Sequence, residues 1–312
     1  MAEERETGWD PGSFLGLAMP YCDCRTAGAV VIPAPYEATV SYGAGAGKGP
    51  AGILGASRQI ELYDRELDSE PALRYGIHTE PPLAFAQGEA AGAVLGRIAA
   101  RVAAAAEKRR FFLVLGGEHG ISPGVFAGLV RARPNERFDI VHLDAHADLR
   151  DSYEGNPRSH ACAARRLLDN PACGFLWQFG IRSLCAGEAA FIRKNPQRVR
   201  TWFAEETIPH PDADWRRELA KGLAGKKVFL TFDVDALDPA VVPGTGTPEP
   251  DGLAWRTALE ICRVVADSAA ETAGMDAVEA APVPGLHYSE FNIAKLLYLM
   301  MSRLMPGAAA SS

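Results

Sequence analysis

The chain has 312 residues, 47% of them apolar, enough for a sizeable core and too apolar for long disorder. Its net charge of -7 argues against a general nucleic-acid binder, which carries a basic face. No uninterrupted apolar run approaches the roughly 20 residues of a membrane span, and the first residues lack the basic and apolar regions of a signal peptide.

Residues 1 to about 27 read as an irregular N-terminal arm rich in Gly, Pro and charge. Ala29 to Pro33 is a short buried strand. A glycine-dense stretch, Val40 to Pro50, follows it and precedes a helix from about Ala51 to Leu62. This stretch lacks the Gly-Lys-Ser/Thr ending of a P-loop and the spacing of a dinucleotide fingerprint. It reads as a flexible loop bordering a pocket. After an irregular segment to Pro82, an alanine-rich helix spans Glu89 to Glu107 and ends in Lys108, Arg109 and Arg110, where the helix dipole favours cations.

Phe111 to Leu115 is a continuous apolar run, the pattern of a parallel strand covered on both faces. It ends at Gly116 to Gly120, and Ser122-Pro123 then opens a helix to about Arg131. The next strand, Ile140 to Leu143, leads into Asp144, His146 and Asp148. Helices at Ser159–Leu168, Gly187–Lys194, Asp212–Leu223, Trp255–Asp267 and Ser289–Leu304 alternate with strands at Phe175–Phe179, Val199–Phe203, Lys227–Phe232 and Met275–Glu279. This alternation predicts stacked βαβ units: a three-layer α/β/α arrangement around a mainly parallel sheet, in one domain over residues 1–312.

In such a sheet, functional groups collect beyond the carboxyl ends of the strands. Four strands here end in reactive residues: His119; Asp144, His146 and Asp148; Asp233 and Asp235; and Glu279. Alternate residues of an extended segment share a face, so Asp144, His146 and Asp148 point the same way. Any one of these residues alone reads as a turn residue or a cap. Together they are too many acids to sit unpaired, because each buried charge costs several kcal/mol without a partner. A metal site is the expectation. Setting Glu279 aside, four carboxylates and two imidazoles without a thiolate favour Mn²⁺ above Zn²⁺. Six ligands suit two ions, about 3.5–4 Å apart, which can hold a bridging hydroxide as nucleophile.

Three segments carry a resemblance: His119 after Gly116-Gly117-Glu118, Asp144 to Asp148, and Thr231 to Pro239 with Gly244 to Pro248. They resemble, in order and spacing, the signatures of the ureohydrolases, the arginase/agmatinase group of binuclear manganese amidinohydrolases. The resemblance runs from Pro35 to Lys295. It implies two Mn²⁺ per subunit: His119 and Asp148 bind one, His146 and Asp235 the other, and Asp144 and Asp233 bridge. It implies that His160 shuttles protons and that Glu279 receives the substrate guanidinium. Both roles suit the chemistry, since a carboxylate accepts paired N–H groups bidentately and an imidazole protonates a leaving amine near neutral pH. It also implies a symmetric homo-oligomer, a trimer or hexamer; the charge and the lack of a signal peptide or apolar span make a cytoplasmic protein with no nucleic-acid or membrane partner the expectation.

Two positions depart from the group's pattern. Glu118 stands where Asp is usual, and Gly120 where Ser is usual; the second is expected to remove a hydrogen bond near the metal. His142, one step deeper in its strand, reads as a satisfied core histidine, with support of the ligands as the lesser reading. His78, His210 and His287 read as surface residues. Glu249 and Asp251 read as loop residues, with Glu249 as a lesser candidate for shaping the site, and Asp238-Pro239 reads as a turn. The six cysteines read as reduced thiols.

The loop Arg150 to Arg158 looks like the agmatinase type rather than the arginase type. Tyr153, Gly155 and Asn156 are expected at the pocket mouth, with Tyr153 and Asn156 binding substrate. Asp151 or Glu154 could attract the ammonium of agmatine, whereas Arg158, if it faces the pocket, would favour a carboxylate end. The expected function is therefore hydrolysis of agmatine to urea and putrescine. The alternatives are another guanidine, such as 4-guanidinobutyrate or aminopropylagmatine, and a non-catalytic metal-binding relative. A histone-deacetylase-like role fits least, because such sites use one zinc.

Overall fold

The computed structural model describes residues 12–86, 88–207 and 215–305. Among these residues, eight strands form one sheet: β1 (Ala29–Ala34), β2 (Ile77–Thr79), β3 (Phe111–Gly116), β4 (Phe138–Leu143), β5 (Cys173–Ile181), β6 (Val199–Phe203), β7 (Lys227–Asp233) and β8 (Glu271–Val278). Their order is β2-β1-β3-β8-β7-β4-β5-β6, and every pairing is parallel. The expected parallel α/β/α arrangement is present. Strand β2 was not foreseen: three residues are too few to show a period, and only pairing with β1 makes them a strand.

The helices are α1 (Gly49–Ser57), α2 (Pro71–Tyr75), α3 (Ala91–Glu107), α4 (Ser122–Ala132), α5 (Ala163–Asp169), α6 (Ala186–Lys194), α7 (Trp215–Leu223), α8 (Trp255–Ser268) and α9 (Tyr288–Leu304). They cover both faces of the sheet. Ile53, Leu219, Ile261 and Leu297, from α1, α7, α8 and α9, share a core with Leu113 and Leu230. Val94, Ile98, Phe126 and Leu167, from α3, α4 and α5, share the other with Phe112, Val114 and Ile140. Successive residues of β3 thus enter opposite cores, which is why that strand reads as continuously apolar. Burying its six residues on two faces makes β3 a rigid base for the loop that follows it.

Two expectations change. The helix expected over residues 51–62 is shorter, ending at Ser57. The loop before it is pinned, because the Glu37 carboxylate accepts the Gly45 and Gly47 N–H groups at 2.7 and 2.9 Å. Of the expected N-terminal arm, residues 12–27 are described; Phe14, Leu15 and Leu17 are buried, and the Leu15 N–H donates to Ser57. His210 lies outside the described residues, as does the start of the helix expected from Asp212.

One level of the sheet is polar. Thr201, Gln178, His142, Thr231 and Asp276 stand side by side on β6, β5, β4, β7 and β8, and all are buried. The row lies one step below the strand ends that carry the candidate ligands.

Candidate metal centre

Sheet order gathers what sequence order separates. Strands β3, β8, β7 and β4 are consecutive neighbours, so the residues after their carboxyl ends meet above one stretch of sheet. His119 Nδ1 lies 3.1 Å from Asp144 Oδ2, 3.2 Å from Asp148 Oδ2 and 3.3 Å from Asp233 Oδ2. His146 Nδ1 lies 3.0 Å from Asp235 Oδ2 and 3.6 Å from Asp144 Oδ1. The six residues fall into two adjoining clusters, with Asp144 facing both histidines.

Backbone amides fix the carboxylates. Asp144 Oδ1 accepts from the His146 N–H at 2.6 Å, Asp235 Oδ1 from Ala145 at 3.0 Å and Asp233 Oδ1 from Asp235 at 2.9 Å. Asp148 sits at φ 51° and Glu279 at φ 63°, a left-handed conformation that non-glycine residues seldom adopt. Both are held there by their surroundings: the Asp148 carbonyl accepts the Arg165 N–H at 2.9 Å, the Glu279 N–H donates to the Gly117 carbonyl at 2.7 Å, and the Glu279 carboxylate accepts the His119 N–H at 2.6 Å. Strain of this kind clusters where geometry serves function.

The polar row sets the histidine tautomers. Gln178 Nε2 donates to the Ala147 carbonyl (2.8 Å) and to His142 Nδ1 (3.0 Å), while its Oε1 accepts from Thr201 at 2.8 Å. His142 Nδ1 is therefore an acceptor, and Nε2–H donates to Asp144 Oδ2 at 2.7 Å. His142 is a buried histidine with both nitrogens satisfied, as its strand position suggested, and one of its partners is a candidate ligand. On the other side Thr231 donates to Asp276 Oδ1 at 2.6 Å, so it accepts from His119 Nε2–H at 3.0 Å. That frees the Nδ1 lone pair for the carboxylate cluster.

A cation fits this cradle. His119 Nδ1 is fully buried, has three carboxylate oxygens within 3.3 Å, and forms an aligned hydrogen bond with none of them. The electrostatics make the same demand. Burial, reinforced by Asp235 and Asp144, pushes the Asp233 carboxyl well above the usual range, and burial with Asp144 raises Asp148. Against the pull of burial, Asp144 and Asp235 push His146 up to about 12, and Asp144, Asp148 and Asp233 raise His119. Burial opposes ionisation of Asp144 too, yet His142, His119 and His146 hold its carboxyl well below the usual range. The cluster needs positive charge, and divalent ions on imidazole and carboxylate oxygens supply it without protons.

Above the cradle lies a cavity of about 290 Å³, lined among others by His119, His146, Asp148, Tyr153, His160, Asp233, Asp235 and Glu279. Burial pushes the Glu279 carboxyl up to about 8. Val40 to Gly43 form part of the wall, so the glycine-dense loop does border the pocket. Gly43 packs against the loop after β7; a β-carbon there would lie 2.5 Å from the Gly246 carbonyl oxygen. Glu249 reaches the rim, 3.9 Å from His146 Nε2.

The loop after β4 corrects four expectations. Gly155, expected at the pocket mouth, is not among the residues lining this cavity. Asn156 does not line this cavity: its backbone pairs with Tyr153 and its side chain accepts the Arg158 N–H at 2.9 Å. Arg158 turns toward Gly92 of α3, and Asp151 is held by Arg166 at 2.7 Å. The pocket cation is Arg150, which sequence reasoning missed. It lies over the Tyr153 ring and 3.8 Å from the buried carboxylate of Glu188, another lining residue. Glu188 caps α6, which the Glu three residues after Cys185 signals. Its place in the pocket has no such signal.

Residues 27–302 match the Arginase family. The chain is 39% identical over 278 residues to the N(1)-aminopropylagmatine ureohydrolase of Synechocystis sp., covering 88% of each protein. It is 34% identical over 255 residues to the agmatinase of Bacillus cereus, covering 81% of this chain and 83% of that one. Among solved structures, the agmatine ureohydrolase of Thermoplasma volcanium superposes with a TM-score of 0.78 at 28% identity, covering 97% of both chains.

Proposed function

This chain belongs to the arginase family, and from that membership we propose that it hydrolyses agmatine to urea and putrescine. One observation carries the reading: two imidazoles and four carboxylates converge beneath a cavity that also holds His160 and Glu279. Residues 1–312 act as one ureohydrolase domain, in which His119 and Asp148 would hold one ion, His146 and Asp235 the second, and Asp144 and Asp233 would contribute to both. We take the ions to be Mn²⁺, because the donors are carboxylates and imidazoles without thiolate. Two such ions would supply Lewis acidity, activating water as the nucleophile at neutral pH.

The chain's own residues do the rest. Glu279 accepts paired N–H groups of the guanidinium, whose positive charge favours the ionised carboxylate that burial opposes. His160 delivers a proton to the departing amine. Tyr153 and the Val40 to Gly43 wall confine the alkyl chain. Arg150 is balanced by Glu188, so it does not make the pocket cationic. The likeness to an aminopropylagmatine ureohydrolase supports a second reading, in which the amine end bears an aminopropyl extension.

Urea release from agmatine, aminopropylagmatine, 4-guanidinobutyrate and arginine, each with Mn²⁺, tests the proposal. Agmatine is expected to give the highest kcat/KM. A higher value for aminopropylagmatine would transfer the assignment to the second reading, and turnover of the acid alone would overturn both. A cytoplasmic homo-oligomer, trimer or hexamer, is part of the proposal, to be checked by fractionation and sedimentation. Among the described residues no helix is long and apolar enough to cross a membrane.

A further inference from the structure

A hydrogen-bonded chain runs along the pocket wall, outside the metal cradle. Glu118 is completely buried. Its Oε2 accepts the backbone N–H groups of Ala38 and Thr39 at 2.7 and 2.5 Å, and its Oε1 accepts the Thr39 hydroxyl at 3.1 Å. Thr39 Oγ1 in turn lies 3.2 Å from His160 Nδ1 and accepts the His160 backbone N–H at 3.1 Å. A threonine hydroxyl has one proton, and a carboxylate has none to give. The Thr39 proton therefore points to Glu118, and its oxygen can only accept from the ring. Ser159 Oγ, 3.3 Å from the same nitrogen, can donate or accept and opposes neither arrangement.

We propose that Glu118 and Thr39 are positioning residues for the proton-transfer step, fixing His160 as the Nδ1–H tautomer and leaving Nε2 as the nitrogen that exchanges protons. The functional part of this inference rests on the reading of His160 as proton donor; the hydrogen-bond polarity does not. The chain also explains why residue 120 is glycine. A β-carbon there would lie 2.9 Å from Glu118 Oε1, 3.3 Å from the Arg158 carbonyl oxygen and 3.5 Å from the His160 nitrogen. The long acidic side chain at 118 and the missing one at 120 form a matched pair. Gly120 leaves room for the carboxylate, and His119 is oriented instead by donating its Nε2–H to Thr231 Oγ1.

Glu118→Gln reverses the polarity with little change of shape. Its amide oxygen can take the two backbone N–H groups, its NH₂ then donates to Thr39, and Thr39 must donate to His160 Nδ1. The ring is driven to the Nε2–H tautomer. The measurement is the ¹⁵N spectrum of the His160 ring, assigned against His160→Asn, in full-length protein carrying diamagnetic Zn²⁺ at a pH where the ring is neutral. Steady-state kinetics with Mn²⁺ and metal content accompany it.

Wild type is expected as Nδ1–H, Glu118→Gln as Nε2–H, and Thr39→Val as a mixture. Both variants should lose kcat by roughly 10- to 10³-fold, with KM and metal content within about 3-fold, since only the use of the general acid is impaired. Thr39→Ser, which keeps the hydroxyl, should recover most of the loss. Gly120→Ala should displace the carboxylate and lower kcat without removing a polar atom. An unchanged tautomer in Glu118→Gln overturns the proposal, as does a switched tautomer with wild-type kcat. If wild type releases no urea from any guanidine, the assignment of function fails, and the spectrum alone still decides the polarity of the chain.

Discussion

Thr231→Val isolates the support of His119 from His119 itself. The hydroxyl accepts from His119 Nε2–H at 3.0 Å, donates to Asp276 Oδ1 at 2.6 Å and approaches Ser122 Oγ at 3.4 Å. Threonine and valine have nearly the same shape, so no cavity opens and the loss is one of hydrogen bonds. Two buried groups lose partners, the His119 N–H and the Asp276 oxygen, at about 1–3 kcal/mol each, which predicts a fall in stability of about 2–6 kcal/mol. Metal binding should weaken by about 10- to 100-fold, the range expected when a metal-bound histidine loses its outer partner, or about 1.4–2.7 kcal/mol. The freed Nδ1 lone pair depends on a proton being held at Nε2, and the variant weakens that hold. Calorimetric titration of the metal-free protein with Mn²⁺ measures affinity, and urea unfolding measures stability. Thr231→Ser, which retains the hydroxyl, should restore both. Wild-type affinity in a valine variant that is destabilised as predicted would refute the orienting role and leave Thr231 a purely structural group.

Asp233→Ala should abolish urea release and most metal binding, read by elemental analysis after dialysis; full turnover would refute a centre in which Asp233 spans two ions. His160→Ala should retain its metal and lose about 10²- to 10⁴-fold in kcat; an unchanged rate removes His160 from the reaction. Acid should destabilise the fold through Glu66, whose carboxyl is lowered from 4.5 to about 2 by hydrogen bonds from Arg303 and then Arg263. The unfolded state takes up the proton first, so this stabilisation is complete above about pH 4.5 and is lost as the pH falls towards 2. Glu66 is about one-third exposed, so screening keeps the effect small. The urea midpoint should fall less steeply between pH 6 and 3.5 in Glu66→Gln than in wild type, and equal slopes would count against the ion pairs.

Local patterns determined much of this protein. Apolar runs such as Phe111 to Leu115 and the alternation of strand with helix fix a parallel sheet between helical layers, because hydrophobic periodicity is written in adjacent residues. That Asp144, His146 and Asp148 gather after one strand was likewise legible, although the segment turns rather than staying extended: Asp144 Oδ1 accepts the His146 N–H and Asp148 sits at φ 51°. Strand order was not legible in this way. That β8 and β7 insert between β3 and β4 is a matter of long crossovers, and it is this order that turns four separated strand ends into one centre. Side-chain partners across strands were equally hidden: nothing near His142 in sequence announces Gln178, and nothing near His160 announces Thr39 or Glu118. The loop after β4 misled for the same reason. Arg150 and Asn156 are both polar residues in one turn, and only the packing of that turn against Glu188 and its own backbone sends one to the pocket and the other to the Arg158 amide. Periodicity is a property of neighbours along the chain. The polarity of a buried hydrogen-bond chain depends on which distant neighbours surround it, so the tertiary structure alone decided how the ligands and His160 are oriented.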